Sequence, residues 1–344
     1  MTVRTMITPM ALAATLALAG CAGGAPGDRA DRSLPPLPDL TSYLLVDPAS
    51  GAPASIAEAA AVLAKADVIF LGESHRHPGN HQAQMDLYRA LAKRNGDVAL
   101  SLEQFERDVQ PVLDQYLAGE IGEATLRDKG RAWDNYPVSY RPLVEYAKAH
   151  GLAVIAAEAP NMVVRCVGRM GPEFLDTMSA ETRGWAAAKL HLGDGPYKDK
   201  FVAFAGGSAS HGEPSGEDDQ ISEAVLRSYA AQVTRDDTMA ESIVAHITAN
   251  PGTKVVHLNG SFHSAGFLGT AERVTLRDPS LSIAVVHPIE VDDPATPSLT
   301  EADRNEGTFL LLIAPAPEAY ATKEEERAAI MEQMKFRASV DCEL

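Results

Sequence analysis

The sequence predicts an α/β protein: a mainly parallel sheet with flanking helices and a helical insertion. Three observations carry this reading. Six short apolar, β-branched runs stand along the chain, at 67–71, 98–102, 152–156, 254–258, 282–286 and 308–313. Segments of helical period fill the gaps between the first three, at 82–94 and 141–150, and strand and helix in alternation build a parallel sheet covered on its faces. Polar residues gather just after the strands rather than within them, as they do where an open α/β sheet presents its carboxyl edge to a ligand.

Taken in order, the chain opens with Arg4, an apolar stretch from Ile7 to Leu18, and then Leu18-Ala19-Gly20-Cys21. This is a charged start, a hydrophobic region too short to span a bilayer, and small residues before a cleavage point. It resembles a bacterial lipobox, so residues 1–20 are expected to be a signal peptide and Cys21 the lipidated first residue, with an ordinary signal peptide as the plainer alternative. Acyl chains on Cys21 would hold the protein on a membrane without a transmembrane helix. Residues 21–40, rich in Gly, Pro and Asp, read as a flexible tether. The folded domain is expected over 41–320 and an exposed charged helix and tail over 321–344.

Within the domain, Gly151 closes the 141–150 helix as a C-cap glycine would. The stretch 161–250 carries mostly helical patterns, at 162–170, 182–190, 222–229 and 238–248, broken by the loop "GGSASHGEPSGEDD", and reads as an insertion or cap. The chain has 344 residues, 45% hydrophobic and 22% charged, and a formal net charge of −17. This is a globular composition, and its negative charge argues against nucleic acid as a partner. Beyond Cys21 only Cys166 and Cys342 remain; one disulfide is open to them, but spacing alone does not pair them.

The chemistry concentrates at strand ends. The first strand runs into "GESHRHPGNH", the second into Glu103 and Glu106-Arg107, the third ends at Glu158, and the fourth runs into "GSFH". Burying Glu73, His75, Glu103, Glu158 and His263 together is costly unless they are paired, hydrogen-bonded or bound to a cation, so their convergence marks a site. The repeated Gly-x-x-His raises Glu73, His75 and His263 above their neighbours, its glycine allowing a sharp turn. His77 and His287 read as loop residues, Glu158 as a cap of the next helix or a rim carboxylate, and Glu106-Arg107 as a solvated pair or an anion clamp. Asn80 reads as an N-cap before His81, while His257 and Cys166 read as packing residues.

At these residues the sequence resembles the ChaN-like haem-binding uptake lipoproteins of the Tiki superfamily, with TraB-like proteins and erythromycin esterases as more distant relatives. The similarity covers about residues 55–275 and rests on "LGESHRHPGNHQAQ", "LSLEQFERDVQPVLDQYLAGE", "WDNYPVSYRPLVEYAKAHGLAVIAAEAP", "RDDTMAESI" and "VVHLNGSFH", in that order. "AAEAP" departs from the Asn expected before Ala-Pro, making the rim more acidic. The resemblance implies an envelope lipoprotein on the periplasmic face of the outer membrane that binds haem or iron for uptake. The alternative it implies is a metal-dependent hydrolase or peptidase whose catalytic and metal-binding residues would be His75, His263 and a glutamate, either Glu73 or Glu103, while the overall pattern points to the haem-binding branch. A third reading is a structural envelope protein that keeps an unused site.

Two imidazoles and one or two carboxylates suit a divalent metal, or an activated water without metal. Haem calls for an apolar slot and an axial Tyr, His or Met; the candidates are Tyr136, Tyr140, Tyr197, His191 and His211, with Arg107 and Arg141 as cations for the propionates. Dimerisation around a cofactor stays open.

Overall fold

The computed structural model describes residues 33–209, 221–338 and Cys342; Cys21 and His211 lie outside them. Eight strands form one sheet: β1 (Tyr43–Val46), β2 (Pro53–Ala54), β3 (Val68–Glu73), β4 (Val98–Glu106), β5 (Val154–Glu158), β6 (Lys254–Gly260), β7 (Ile283–Glu290) and β8 (Phe309–Ile313). Their order is β2-β1-β8-β7-β3-β6-β4-β5. The six runs expected from sequence are β3 to β8, and all pairings among them are parallel. The sequence reading lacked β1 and β2, which add an antiparallel edge against β8; a four-residue run and a two-residue strand offer too little periodicity to detect. The stretch read as tether is also partly docked: Leu37 is buried against Val46, Val291 and Leu312, and its N–H donates to the Pro294 carbonyl at 2.7 Å.

Alternation along each strand feeds two cores. Ile69, Leu71, Leu100, Leu102, Val256 and Leu258 face the layer containing the Ile56–Leu63, Pro78–Asn95, Gln110–Leu117 and Arg141–His150 helices. Val68, Phe70, Ala99, Ile155 and Val255 face Met239, Ala240 and Ile243, together with Ala271 and Val274. Both faces are apolar because both are covered, as a parallel sheet requires.

The second layer revises the expected insertion. In place of separate helices at 222–229 and 238–248 there is one helix, Glu223–Ala249, about 40 Å long at 1.5 Å per residue, which is the last element of the connection from β5 to β6. Between the two expected segments Thr234, Asp236 and Asp237 interrupt the apolar period, yet all three are buried. The 182–190 helix is reduced to Ala180–Arg183. Gly151, with φ +64°, closes Arg141–His150 as expected, and Lys323–Ala338 is a charged helix whose described side chains are mostly exposed. Cys166 and Cys342 form a disulfide across 176 residues, pinning the C-terminus to the Asn161–Met170 helix.

Truncating the fully buried Ile243 to Ala should cost about 2–5 kcal/mol of unfolding free energy, measured by urea denaturation. Ile330→Ala, at a position 47% exposed, should stay within about 0.5 kcal/mol.

Candidate functional site

Glu73 pairs with Gly260 in the β3–β6 register, and β4 slips register beside β5 between Leu102 and Glu106. Such an irregularity re-aims side chains, and here both Glu103 and the next residue, Gln104, are buried at the strand end. The carboxyl ends of β3, β4, β5 and β6 thus assemble one acidic rim.

At its centre lies Glu73, 1% exposed. Its Oε1 accepts from His75 Nδ1 at 2.7 Å, from the Tyr140 hydroxyl at 2.7 Å and from Gln104 Nε2 at 3.3 Å. Its Oε2 accepts from Gln84 Nε2 at 3.0 Å, with His81 Nδ1 at 3.7 Å. Burial alone would raise this carboxyl, but the His75 hydrogen bond, the nearby imidazoles and the Tyr140 bond hold it below the ordinary glutamate value. Burial would lower His75, but its bond to Glu73 and the charges of Glu103 and Glu73 outweigh that and raise it.

A second carboxylate–imidazole pair stands opposite. His263 Nδ1 bonds Asp236 Oδ1 at 2.8 Å, and Asp236 also accepts from Thr270 at 2.8 Å and from the Tyr197 hydroxyl at 2.6 Å. Burial would lower His263, but the charges of Asp236 and Glu103 push it up to about 9. Glu103 lies between the two pairs. Its Oε2 accepts the Gly260 N–H at 2.6 Å and its Oε1 is 3.9 Å from His263 Nε2. A Cβ on Gly260 would stand 2.9 Å from His75 Nε2, so glycine is required here for close approach. Neither Gly72 nor Gly260 has positive φ, so the sharp turn expected of them is not their role.

Carboxylates on both Nδ1 atoms fix the imidazole orientation; His263 Nε2 is enclosed, 3.4 Å from Gln232 Nε2 and 3.9 Å from Glu103 Oε1, whereas the His75 side chain is 45% exposed. Among the described residues no group of three or more His, Cys, Asp or Glu is disposed to hold a metal ion, so the expected metal set of His75, His263, Glu73 and Glu103 appears instead as two hydrogen-bonded pairs and a bridging carboxylate.

The remaining candidates are engaged elsewhere. Tyr140 is spent on Glu73 and Tyr197 on Asp236, and Tyr136 is 1% exposed, packed on Phe105 with ring centroids 5.8 Å apart. Arg107 turns from the rim to the long helix, donating to Glu241, Ser242, the Thr238 carbonyl and the Gly184 carbonyl. Arg141 pairs with Glu123. His191 bonds Asp237 at 2.7 Å. His77, not Asn80, is the N-cap of Pro78–Asn95; Asn80 spans Ser74 N–H and the Gly72 carbonyl. Glu158 is held by Arg235 at 2.6 Å and by the Ala159 N–H, and burial pushes it up to about 7. The Asn161 N–H goes to Glu106 instead, at 2.9 Å. His257 bonds Ser101 at 2.9 Å, and burial pushes it down to about 3; burial likewise pushes His287 down to about 4. Both stay neutral.

Residues that the sequence reading did not assign to the site are Asp236, Gln84, Gln104, Trp133 and Arg235. For Asp236 the sequence shows only an Asp-Asp between two helical segments; that it is buried and so needs partners is seen in the fold.

Because the His263 value is raised on folding, its contribution to stability is complete below the unfolded histidine value of about 6.5 and is lost as pH rises through about 9. Asp236→Asn removes the main cause. The stability gap between the natural chain and this variant should therefore narrow on going from pH 6.5 to above 9, read by urea unfolding across that range; a gap that does not change with pH would contradict the assignment.

Comparison with known proteins agrees with this architecture. A family model described as haem-binding uptake, Tiki superfamily, ChaN matches residues 59–274. A solved structure described as cofacial haem binding to ChaN of Campylobacter jejuni superposes with a TM-score of 0.58 at 17% identity, covering 79% of this chain and 97% of that one; at that identity it shows the shared fold. An erythromycin esterase in its open conformation gives a TM-score of 0.40 at 14% identity over 78% of this chain and 81% of that one. Among curated proteins, RETICULATA-RELATED 5, a chloroplastic protein of Arabidopsis thaliana, is 26% identical over 242 residues, 65% of this chain, which spans 31% of that relative's length. With well over half of its length matched, the chain belongs to the haem-binding uptake, Tiki superfamily, ChaN family.

Proposed function

We propose that the chain binds haem at the strand-end rim with His75 as its contact, and that it does so as an envelope lipoprotein anchored through Cys21 in the service of haem or iron uptake. The observation that carries this reading is the state of His75. Its side chain is 45% exposed while its Nδ1 partner Glu73 is wholly buried, so the imidazole is held rigidly from behind and Nε2 is the nitrogen left for a ligand.

The surroundings fit a flat apolar ligand with acidic substituents. Trp133 stands edge-on to His75 with centroids 5.2 Å apart, and Val138, further along the same segment, is 78% exposed. Arg76 follows His75 in the left-handed region at φ +68° and is exposed, paired with the equally exposed Asp134 at 2.8 Å; an exposed pair of this kind is weak enough to exchange its carboxylate for a propionate. Haem, when bound, would supply an iron that accepts an imidazole nitrogen. The chain's own part is to present His75 in one tautomer, to wall it with Trp133 and to offer Arg76. The buried tyrosine hydroxyls of Tyr140 and Tyr197 are committed to acids and Tyr136 is enclosed, which supports the imidazole over these tyrosines as the ligand contact.

A second reading, hydrolysis by the rim, is favoured by the two carboxylate–imidazole pairs flanking Glu103. On this reading the Glu103 carboxylate accepts the proton of the attacking water and His263, held protonated beside Asp236, serves as the acid, so Glu103→Gln and His263→Ala abolish turnover of an ester or amide substrate.

On haem titration followed by absorption, the natural chain should saturate with a shifted Soret band. His75→Ala should weaken binding at least tenfold, or about 1.4 kcal/mol, whereas Tyr136→Phe should leave the spectrum unchanged. A spectrum that changes with Tyr136→Phe and not with His75→Ala would overturn the assignment. For the anchor, Cys21→Ala should move the protein from the membrane fraction to the soluble one; retention in the membrane would mean another attachment.

A further inference from the structure

On the outer side of the long helix, a cavity of about 370 Å³ is lined by Lys189, His191, Glu241, Val244, Ala245, Leu276 and Arg277. In a chain of net charge −17, this place gathers cations. Arg107, Arg183, Lys189 and Arg277 meet there with two carboxylates, Asp237 and Glu241. Arg107 feels the charges of both Arg277 and Arg183, and together with burial these lower its value. Arg183 donates only to the carbonyls of Ala186, Ala187 and Ala188 among the described residues. Arg273 also approaches Asp237, at 3.6 Å, but is answered by Glu272 at 3.2 Å.

The two acids are already used. Asp237 accepts from the His191 backbone and ring at 2.7 Å and from Arg277 at 2.9 Å. Glu241 accepts from Arg107 at 3.0 Å and from the Ala188 N–H at 2.9 Å, reaching Arg277 only at 3.8 Å. That leaves donors without acceptors. Arg277 Nε is buried with no partner, His191 offers its second nitrogen because Asp237 holds Nδ1, and exposed Lys189 has no ion pair among the described residues. The buried Arg277 Nε is costly to leave without a partner, and like charges gather at a cost that an anion removes. Val244, Ala245 and the half-exposed Leu276 add apolar surface to the same lining.

We propose that this cavity is a second binding site, for a phosphate-type oxyanion carried on a small apolar body. Lys189, His191 and Arg277 bind the anion, and Val244, Ala245 and Leu276 bind the body. The volume sits at the small end of ligand sites, so the body is no larger than a single ring. Asp236 and Asp237, adjacent on one helix and about 100° apart around it, thereby serve different sites: Asp236 the rim, Asp237 this cavity.

The test is calorimetric titration of the full-length chain with inorganic phosphate and with phenyl phosphate, against chloride at matched ionic strength. Both phosphates are expected to bind saturably, phenyl phosphate more tightly. Lys189→Glu should weaken both at least tenfold, while Lys65→Glu, the same change of charge at an exposed lysine outside the cavity, should have little effect. His191→Asn should weaken both as well. The proposal is overturned if phosphate gives no more heat than chloride, if Lys65→Glu weakens binding as much as Lys189→Glu, or if phenyl phosphate binds no better than inorganic phosphate.

Discussion

A carboxylate buried at the end of a central strand constrains everything around it. Glu73 is removed from water by the sheet on one side and by the Pro78–Asn95 helix on the other, and an isolated ionised carboxylate in that position would be severely penalised. It survives because His75, Tyr140, Gln104 and Gln84 all donate to it. Each donor comes from a different segment: the β3 end, the turn before Arg141–His150, the β4 end and the Pro78–Asn95 helix. The cost of losing any one partner therefore ties four pieces of the fold into one arrangement, and that arrangement orients His75.

The second pair repeats the device from the opposite layer. Asp236 comes from the long crossover helix, His263 from the turn after β6, and Thr270 and Tyr197 complete the acid's hydrogen bonds. The rim is thus held from both faces of the sheet, with Glu103 between the two imidazoles. Seen this way, Arg107 belongs to the scaffold: its clasp on Ser242, Glu241 and the Thr238 carbonyl fixes the same helix that delivers Asp236.

Much of this was legible in the residues, and the illegible parts have physical reasons. Continuous apolar runs revealed every parallel strand, because strands covered on both faces carry no polar alternation to blur them. The strand-end glutamates and histidines stood out because burying them requires partners. The tyrosines proposed as ligand contacts failed that test from the other side: a hydroxyl written in sequence shows no sign of whether water, a ligand or a buried acid will take its proton, and Tyr140 and Tyr197 each went to an acid. Asp236 was hidden by its helix, where a polar residue inside an amphipathic period looks like a break until its partners, more than twenty-five residues away in His263, are brought near by the fold. The disulfide was equally illegible, since Cys166 and Cys342 lie 176 residues apart and meet only where Cys342 packs on the cluster around Val163 and Cys166.

The central claim is that Glu73 presents His75, with its Nδ1 bound and its Nε2 free, as the residue that meets the ligand. Long-range proton–nitrogen spectra of the chain labelled with 15N-histidine, recorded before and after adding gallium protoporphyrin as a diamagnetic stand-in for haem, test it most directly. The account predicts a protonated Nδ1 on His75 in the free protein and a large shift of the His75 Nε2 signal on binding, with His77 and His257 unmoved. A His75 signal that stays in place while porphyrin absorption saturates would contradict it.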